Sequence, residues 1–328
     1  MQDKRSFLAV AAALGLGGAL PRMAWAQAAF PFKPLKIVVP NAAGGAADLT
    51  ARTVGQQLAA ALGQSVIIDN RPGAGGVVAG EVVAKGEPDG HTLLLVSSGT
   101  AVSAALFKVL PFETLKDFAW VSTLATFDLA IVVAEGGRFR TLAELLAYAK
   151  ANPGKLNIGT PNVGTTQHLA AELFKASAGI DAQVVPFNGT PPVINALRGG
   201  QIDAGLDILG PLMPQIAARA LRPLAVLGDK RATQLPEVPA ARESGGALAN
   251  FKASSWNGLA VPAKTPPDVV ARLSREVQAA VAQAEVKKRL LELNLVAQGS
   301  TPEQLGALMA GEVRRWSDVI AHAKIPRQ

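Results

Sequence analysis

The pattern that most restricts this chain is an alternation of short apolar stretches with amphipathic ones, run through twice. Residues 35–39 ("LKIVV") read as a strand, and 48–62 place Leu49, Val54, Leu58 and Leu62 on one side before a glycine stop at Gly63, as a helix with one buried face would. A second strand at 66–69, a helix at 77–85 and a third strand at 91–98, after the turn Glu87-Pro88-Asp89-Gly90, complete a β-α-β-α-β series. Crossover helices of this kind predict a parallel sheet.

A second series opens with a strand at 128–134. It continues as helix 141–151, strand 156–159, helix 165–178, strand 183–186, helix 191–199, strand 204–208, helix 210–219 and strand 224–227. After a long loop, the strand 254–262 precedes helices at 266–294, broken near Ala284, and at 302–322. These helices have no sheet of their own, so the economical solution returns the chain to the first unit. The expectation is an α/β protein of two domains, 27–130 plus 252–328 and 131–251, joined by two hinge crossovers near 127–134 and 252–260. At 328 residues the chain exceeds what one core usually serves, and a cleft between two such domains is where a small ligand binds.

The first 26 residues read as an export signal, cleaved after Ala26. Lys4 and Arg5 precede an apolar run from Phe7 to Leu20, and Ala24 and Ala26 flank Trp25 as an A-x-A site. Lys4-Arg5 also resembles a twin-arginine signal with lysine in the first place, so both export routes stay open. The run is shorter than the roughly 20 residues that span a bilayer, and no later segment comes closer, which predicts a soluble, exported mature chain, expected as a monomer. An uncleaved anchor is the alternative. Absence of cysteine removes disulfides, thiolate metal sites, a lipidated cysteine and a cysteine nucleophile. The net charge of +7 includes +2 from Lys4, Arg5 and Arg22 against Asp3, and the remaining basic residues are scattered with few aromatics, against nucleic-acid binding.

In an open parallel sheet the ligand lies beyond the carboxyl ends of the strands. That selects Asn41, Ala42, Ala43, Gly44 and Gly45 with Asp48; 71–76 ("RPGAGG"); Ser97, Ser98 and Thr100; and, from the second unit, Thr160, Asn162, Gly164, Thr165, Thr166, Gln167 and His168, with Asn188 and Asp207 at further strand ends. Glycines, hydroxyls, amides and helix starts can hold a carboxylate without a buried cation. Each has a structural alternative. Asp48, Thr165 and Thr166 also suit helix caps; His168 suits packing better than catalysis, Arg71 suits pinning its loop, and Trp256 suits hinge packing. Enzyme readings find little. The three histidines are too far apart for a helical metal pair, there is no G-x-S-x-G elbow, and Gly73-Ala74-Gly75 is followed by Val78 where a dinucleotide fingerprint needs glycine. No metal or cofactor is expected.

Seven blocks in order make the chain resemble the Bug-type solute-binding receptors of tripartite tricarboxylate transporters. They are "PLKIVVPNAAGGAADLTAR" (34–52), "IIDNRPGAGGVVAG" (67–80), "PDGHTLLLVSSGT" (88–100), "KDFAWVSTLA" (116–125), "VGTTQHLAAELFK" (163–175), "PFNGTPPVINALRGGQIDAGLDI" (186–208) and "SSWNGLAVPAKTP" (254–266). The resemblance implies a periplasmic binding protein fold, type II-like, whose two domains close on a small carboxylated solute and deliver it to membrane subunits of the transporter, with no catalysis. It also implies that 41–45 with Asp48, and 160–167, grip the carboxylate. The family often has proline before the two glycines, where this chain has Ala43, so the first loop is roomier and could admit a bulkier acid. A receptor that signals to a membrane kinase, or an exported enzyme, is the alternative.

Overall fold

The computed structural model describes residues 30–328; the predicted export signal lies outside them. Strand β1 (Leu35–Val39), helix α1 (Ala46–Leu62), β2 (Val66–Asn70), α2 (Val77–Ala84), β3 (Thr92–Ser97) and α3 (Ser98–Leu106) form the first series. β4 (Phe118–Ala134) leads to α4 (Leu142–Ala151), β5 (Leu156–Pro161), α5 (Thr166–Ala178), β6 (Ala182–Phe187), α6 (Thr190–Arg198), β7 (Ala204–Ile208), α7 (Leu209–Ala217) and β8 (Leu221–Val226). β9 (Ser254–Pro262), α8 (Pro267–Ala282), α9 (Ala284–Glu292), β10 (Val296–Ala297) and α10 (Pro302–His322) complete the chain. Among the described residues no helix is long and apolar enough to cross a membrane.

The strands run β2-β1-β3-β9-β4-β7-β5-β6, with β8 and β10 also pairing β4. β1 pairs in parallel with β2 and β3, but β9 lies antiparallel to both β3 and β4. The first unit is therefore a mixed sheet rather than the parallel one expected, because the returning strand inserts at its edge. β4 also begins ten residues earlier than expected. Ser122 and Thr123 break its apolar pattern, yet both are buried, and the Ser122 hydroxyl accepts from Ser300 N–H at 2.9 Å while the Thr123 hydroxyl donates to Gln298 O at 2.7 Å. Satisfied in this way, polar side chains sit inside a strand at little cost.

β4 is the beam of the molecule. Residues 118–128 pair with β9, and 129–134 pair with β7 and β8, so one strand belongs to both halves. The chain comes back beside it, where Ala253 N–H donates to Leu227 O at 2.7 Å and Leu227 N–H to Leu129 O at 2.8 Å. One apolar cluster is continuous across both halves, from Val38 and Leu94 to Leu129, Ile158 and Phe174, and includes Trp256 and Trp316. Separate clusters fill the opposite face, under α1, α8 and α9 in one half and under α6 and α7 in the other. The late helices pack on the first half, α8 on α1 and α10 on α3, and their break falls at Gln283, whose extended backbone ends α8.

Candidate functional site

The strand register sets the site. Ser97, the last residue of β3, lies opposite Asn257 of β9, which lies opposite Ala125 of β4. Ile208, the last residue of β7, lies opposite Leu129 of the same β4, and β7 runs antiparallel to β4 while β3 runs parallel to it. The carboxyl ends of the strands in the two halves therefore face one another across four residues of β4, about 13 Å at strand rise. The halves also touch. A Cβ on Gly164 would lie 2.7 Å from Leu106 Cδ2, across the gap between the β5–α5 loop and the end of α3.

In the first half, residues 41–45 are exposed and turn into α1 at Gly45, which offers no side-chain cap. The first N–H groups of that helix are left for another partner. Asp48 does more than cap the helix. Its carboxylate is 2% exposed, and Oδ2 accepts from Gly44 N–H at 2.9 Å and from Arg52 Nε at 3.0 Å, which shapes the loop from behind. Burial alone would raise its pKa, but these donors outweigh that and hold it below the ordinary carboxylate value. Asn70 steadies the same loop by donating to Asn41 O at 3.0 Å. Arg71 pairs with Asp69 at 2.9 Å.

The stretch Ser97, Ser98 and Thr100, expected beyond the end of a strand, caps and opens α3. Ser97 Oγ accepts from Gly99 N–H at 3.1 Å and the Thr100 hydroxyl accepts from Ser97 N–H at 3.0 Å. The serine run looks like a loop because hydroxyl residues favour turns and caps alike. The Ser98 hydroxyl, fully buried, donates to Glu312 on α10 at 3.2 Å, and Glu312 also accepts from Trp316 Nε1 at 2.8 Å and Arg315 at 3.2 Å.

In the second half, Thr165 is the N-cap of α5. Its hydroxyl accepts from His168 N–H at 3.2 Å and donates towards Pro161 O at 2.7 Å and Asn162 O at 2.9 Å, which leaves its proton engaged within the protein. Thr166 opens the helix, and the N–H groups of Thr166 and Gln167 lie in the uncompensated first turn. Thr165→Ala should lower stability by about 0.5–2 kcal/mol, read from urea unfolding; a loss of solute affinity with unchanged stability would contradict a pure capping role. Asn162 and Asn188 are exposed, while Thr160 is buried with a hydroxyl that has no partner. Asp207, fully buried, gathers the half together: Oδ1 accepts from Gln167 Nε2 at 3.1 Å and Ile208 N–H at 2.7 Å, and the Thr190 hydroxyl lies near the same carboxyl. Thr190 follows Asn188 and Gly189 at the strand end that the sequence marks after β6.

His168 is 8% exposed, and burial depresses its pKa, with Lys175 acting the same way and Glu172 opposing. A histidine kept neutral in the fold but free to charge when unfolded supports stability above the ordinary value of about 6.5, and that support is lost as pH falls through it. Thermal unfolding from pH 7 to pH 5 should therefore show a steeper loss for the wild type than for His168→Gln; parallel profiles would contradict it. Among the described residues no cluster of three His, Cys, Asp or Glu could hold a metal. A cavity of about 10 Å³ beneath the first-half loops, between Pro40, Gly76, Ser103 and Phe112, has room for no more than a water and is no solute site.

Two α/β halves joined by crossing strands, with the carboxyl ends of their strands facing one another, have the fold of periplasmic binding proteins. Residues 50–325 match the family described as "Tripartite tricarboxylate transporter family receptor", and the chain belongs to that family. It is 32% identical to Protein BugT of Bordetella pertussis over 89% of each chain. Among solved structures it is similar to MatC from Rhodopseudomonas palustris with bound malate (33% identity, TM-score 0.76, 89% of this chain and 100% of that one). An R. palustris protein solved with adipate is likewise similar (29% identity, TM-score 0.81, 90% and 99%). The family is one of solute receptors rather than enzymes, which agrees with the reading of the sequence.

Proposed function

We propose that the protein is an exported receptor that captures a small carboxylate-bearing solute between its halves and presents it to the membrane subunits of a tripartite tricarboxylate-type transporter. What supports this is the strand register, which turns the carboxyl ends of the strands in the two halves towards one another, with the helix starts α1 and α5 following strands of opposite halves. Each offers free N–H groups and the positive end of a helix dipole, a neutral way to hold an anion. Residues 41–45 supply one wall and 160–168, Asn188 and Asp207 the other; malate and adipate in similar proteins are acids of this kind. Segments 27–130 plus 252–328 and 131–251 are the bodies that close, turning where β4 passes Asp128 and where the chain returns at Ala253. Closure is favoured because each body holds part of the solute, so the closed state binds better than the open one. The test is a thermal-shift screen of the protein from Gln27 onward against dicarboxylates, keto acids, aromatic acids and amino acids. A binder of the native state raises the melting temperature; a shift with acids supports the reading, and no shift with any of them, in protein that native mass spectrometry shows to be free of bound solute, refutes it.

A further inference from the structure

We infer that Asp207 stands in the cleft wall as a neutral carboxylic acid and donates its proton, from Oδ2, to an acceptor oxygen of the solute; this rests on the carboxylate-receptor reading above. The hydrogen bonds are one-sided. Oδ1 accepts from Gln167 Nε2 at 3.1 Å and from Ile208 N–H at 2.7 Å, whereas Oδ2 is buried with no partner. Asp48 also leaves one buried oxygen bare, but the Arg52 guanidinium balances its charge; Asp207 has no cation paired with it, and a neutral acid accepts on its carbonyl oxygen and keeps the other as a donor. Leaving a buried, charged oxygen bare would be costly.

The surroundings agree. The groups that face Asp207 are the Ile208 N–H of its own strand, the Gln167 amide of α5 and the Thr190 hydroxyl of α6, all neutral. None of the ion pairs among the described residues includes it, and His168, next to Gln167, has Glu172 and Lys175 as its charged neighbours. Burial pushes the carboxyl up, against the opposing effect of nearby Thr190, Gln167 and Ile208. Asp207 sits opposite Ala130, at the end of β7 that faces the first half, and ties together the first turns of α5 and α6. Oδ2 is the polar atom left over between two helix starts. A neutral donor there holds a carboxylate or carbonyl oxygen without the repulsion an ionised aspartate would exert, and it offers an ammonium group less than a carboxylate would. It therefore selects acids whose bound end carries an acceptor oxygen over acids that present an amine.

Two measurements test this. Without any solute, difference infrared spectra of the wild type minus Asp207→Asn at pH 7 should contain the carbonyl band of a protonated carboxyl, and its absence would overturn the proposal. Calorimetric titration with malate and adipate should then show Asp207→Asn, whose amide can donate from the same place, binding as the wild type does. Asp207→Ala should bind about tenfold more weakly. Wild-type affinity should fall as pH rises through the Asp207 titration, while that of Asp207→Asn stays level. Lost binding in Asp207→Asn with normal thermal unfolding would overturn the donor role. If the band is present but no acid of the screen binds the wild type, the receptor reading fails and donation to a solute fails with it, leaving a neutral Asp207 that only braces α5 and α6.

Discussion

Trp316→Ala should lower the unfolding free energy by about 3–5 kcal/mol, the range for removing a large aromatic from a packed core. Trp316 is fully buried in the cluster that runs through both halves, and its Nε1–H donates to Glu312 at 2.8 Å. Truncation leaves a cavity and also takes one donor from a carboxylate that otherwise accepts from Ser98 and Arg315. The Arg315 guanidinium, 4.9 Å from the indole centre, loses its aromatic face as well. Arg315 also donates to Lys252 O in the returning segment, so the disturbance reaches the second crossing. Trp316→Phe keeps most of the ring volume and should cost clearly less. Urea unfolding of the two variants separates packing from hydrogen bonding; a Trp316→Ala protein within 1 kcal/mol of the wild type would show that this core is not continuous through α10.

Gly164→Val should weaken solute binding about tenfold, or about 1.4 kcal/mol. Gly164 has φ +76°, a conformation in which β-branched residues are genuine outliers. The strain itself costs stability by about 1–2 kcal/mol, whether the halves are open or closed. The effect on binding comes from the other side of the cleft, because a Cβ at Gly164 would stand 2.7 Å from Leu106 Cδ2. Leu106 is only 2% exposed and belongs to the shared core, so it has little room to swing away. The added bulk therefore props the β5–α5 loop away from α3. Leu106→Ala in the same protein makes space and should recover most of the lost affinity. A double-mutant cycle by calorimetry reads this coupling directly; additive losses would show that the contact has no part in closure.

Strand ends and helix stops were legible because they rest on local chemistry. The strand 254–262 and the helix 302–322 are found where the hydrophobic pattern places them, the second opened by Thr301 and Gln304 in a reciprocal cap. Features resting on distant partners were not. The strand from Phe118 to Phe127 was hidden because the partners that make Ser122 and Thr123 acceptable, Gln298 and Ser300, lie more than 170 residues away. In the candidate site, glycine loops and helix starts could be read directly. The Ser98–Glu312 contact, 214 residues apart in the chain, could not, nor could the gathering of Gln167, Thr190 and Ile208 on a single carboxyl. No short-range pattern marks which hydroxyl faces a cleft and which turns into a core.

The order of the strands has a consequence for synthesis. The elements from α4 to β8 emerge from the ribosome as one uninterrupted stretch, and with the end of β4 they can build their half from local contacts alone. The first half cannot do so. β3 lacks its neighbour until β9 is made, and α3 lacks its cover until α10 appears at the far end of the chain. The amino-terminal sheet is the earliest part translated and the last completed, which reverses the usual order in which domains fold as they are made. For a protein predicted to leave the cytoplasm, that delay keeps half of the nascent chain open while its destination is decided.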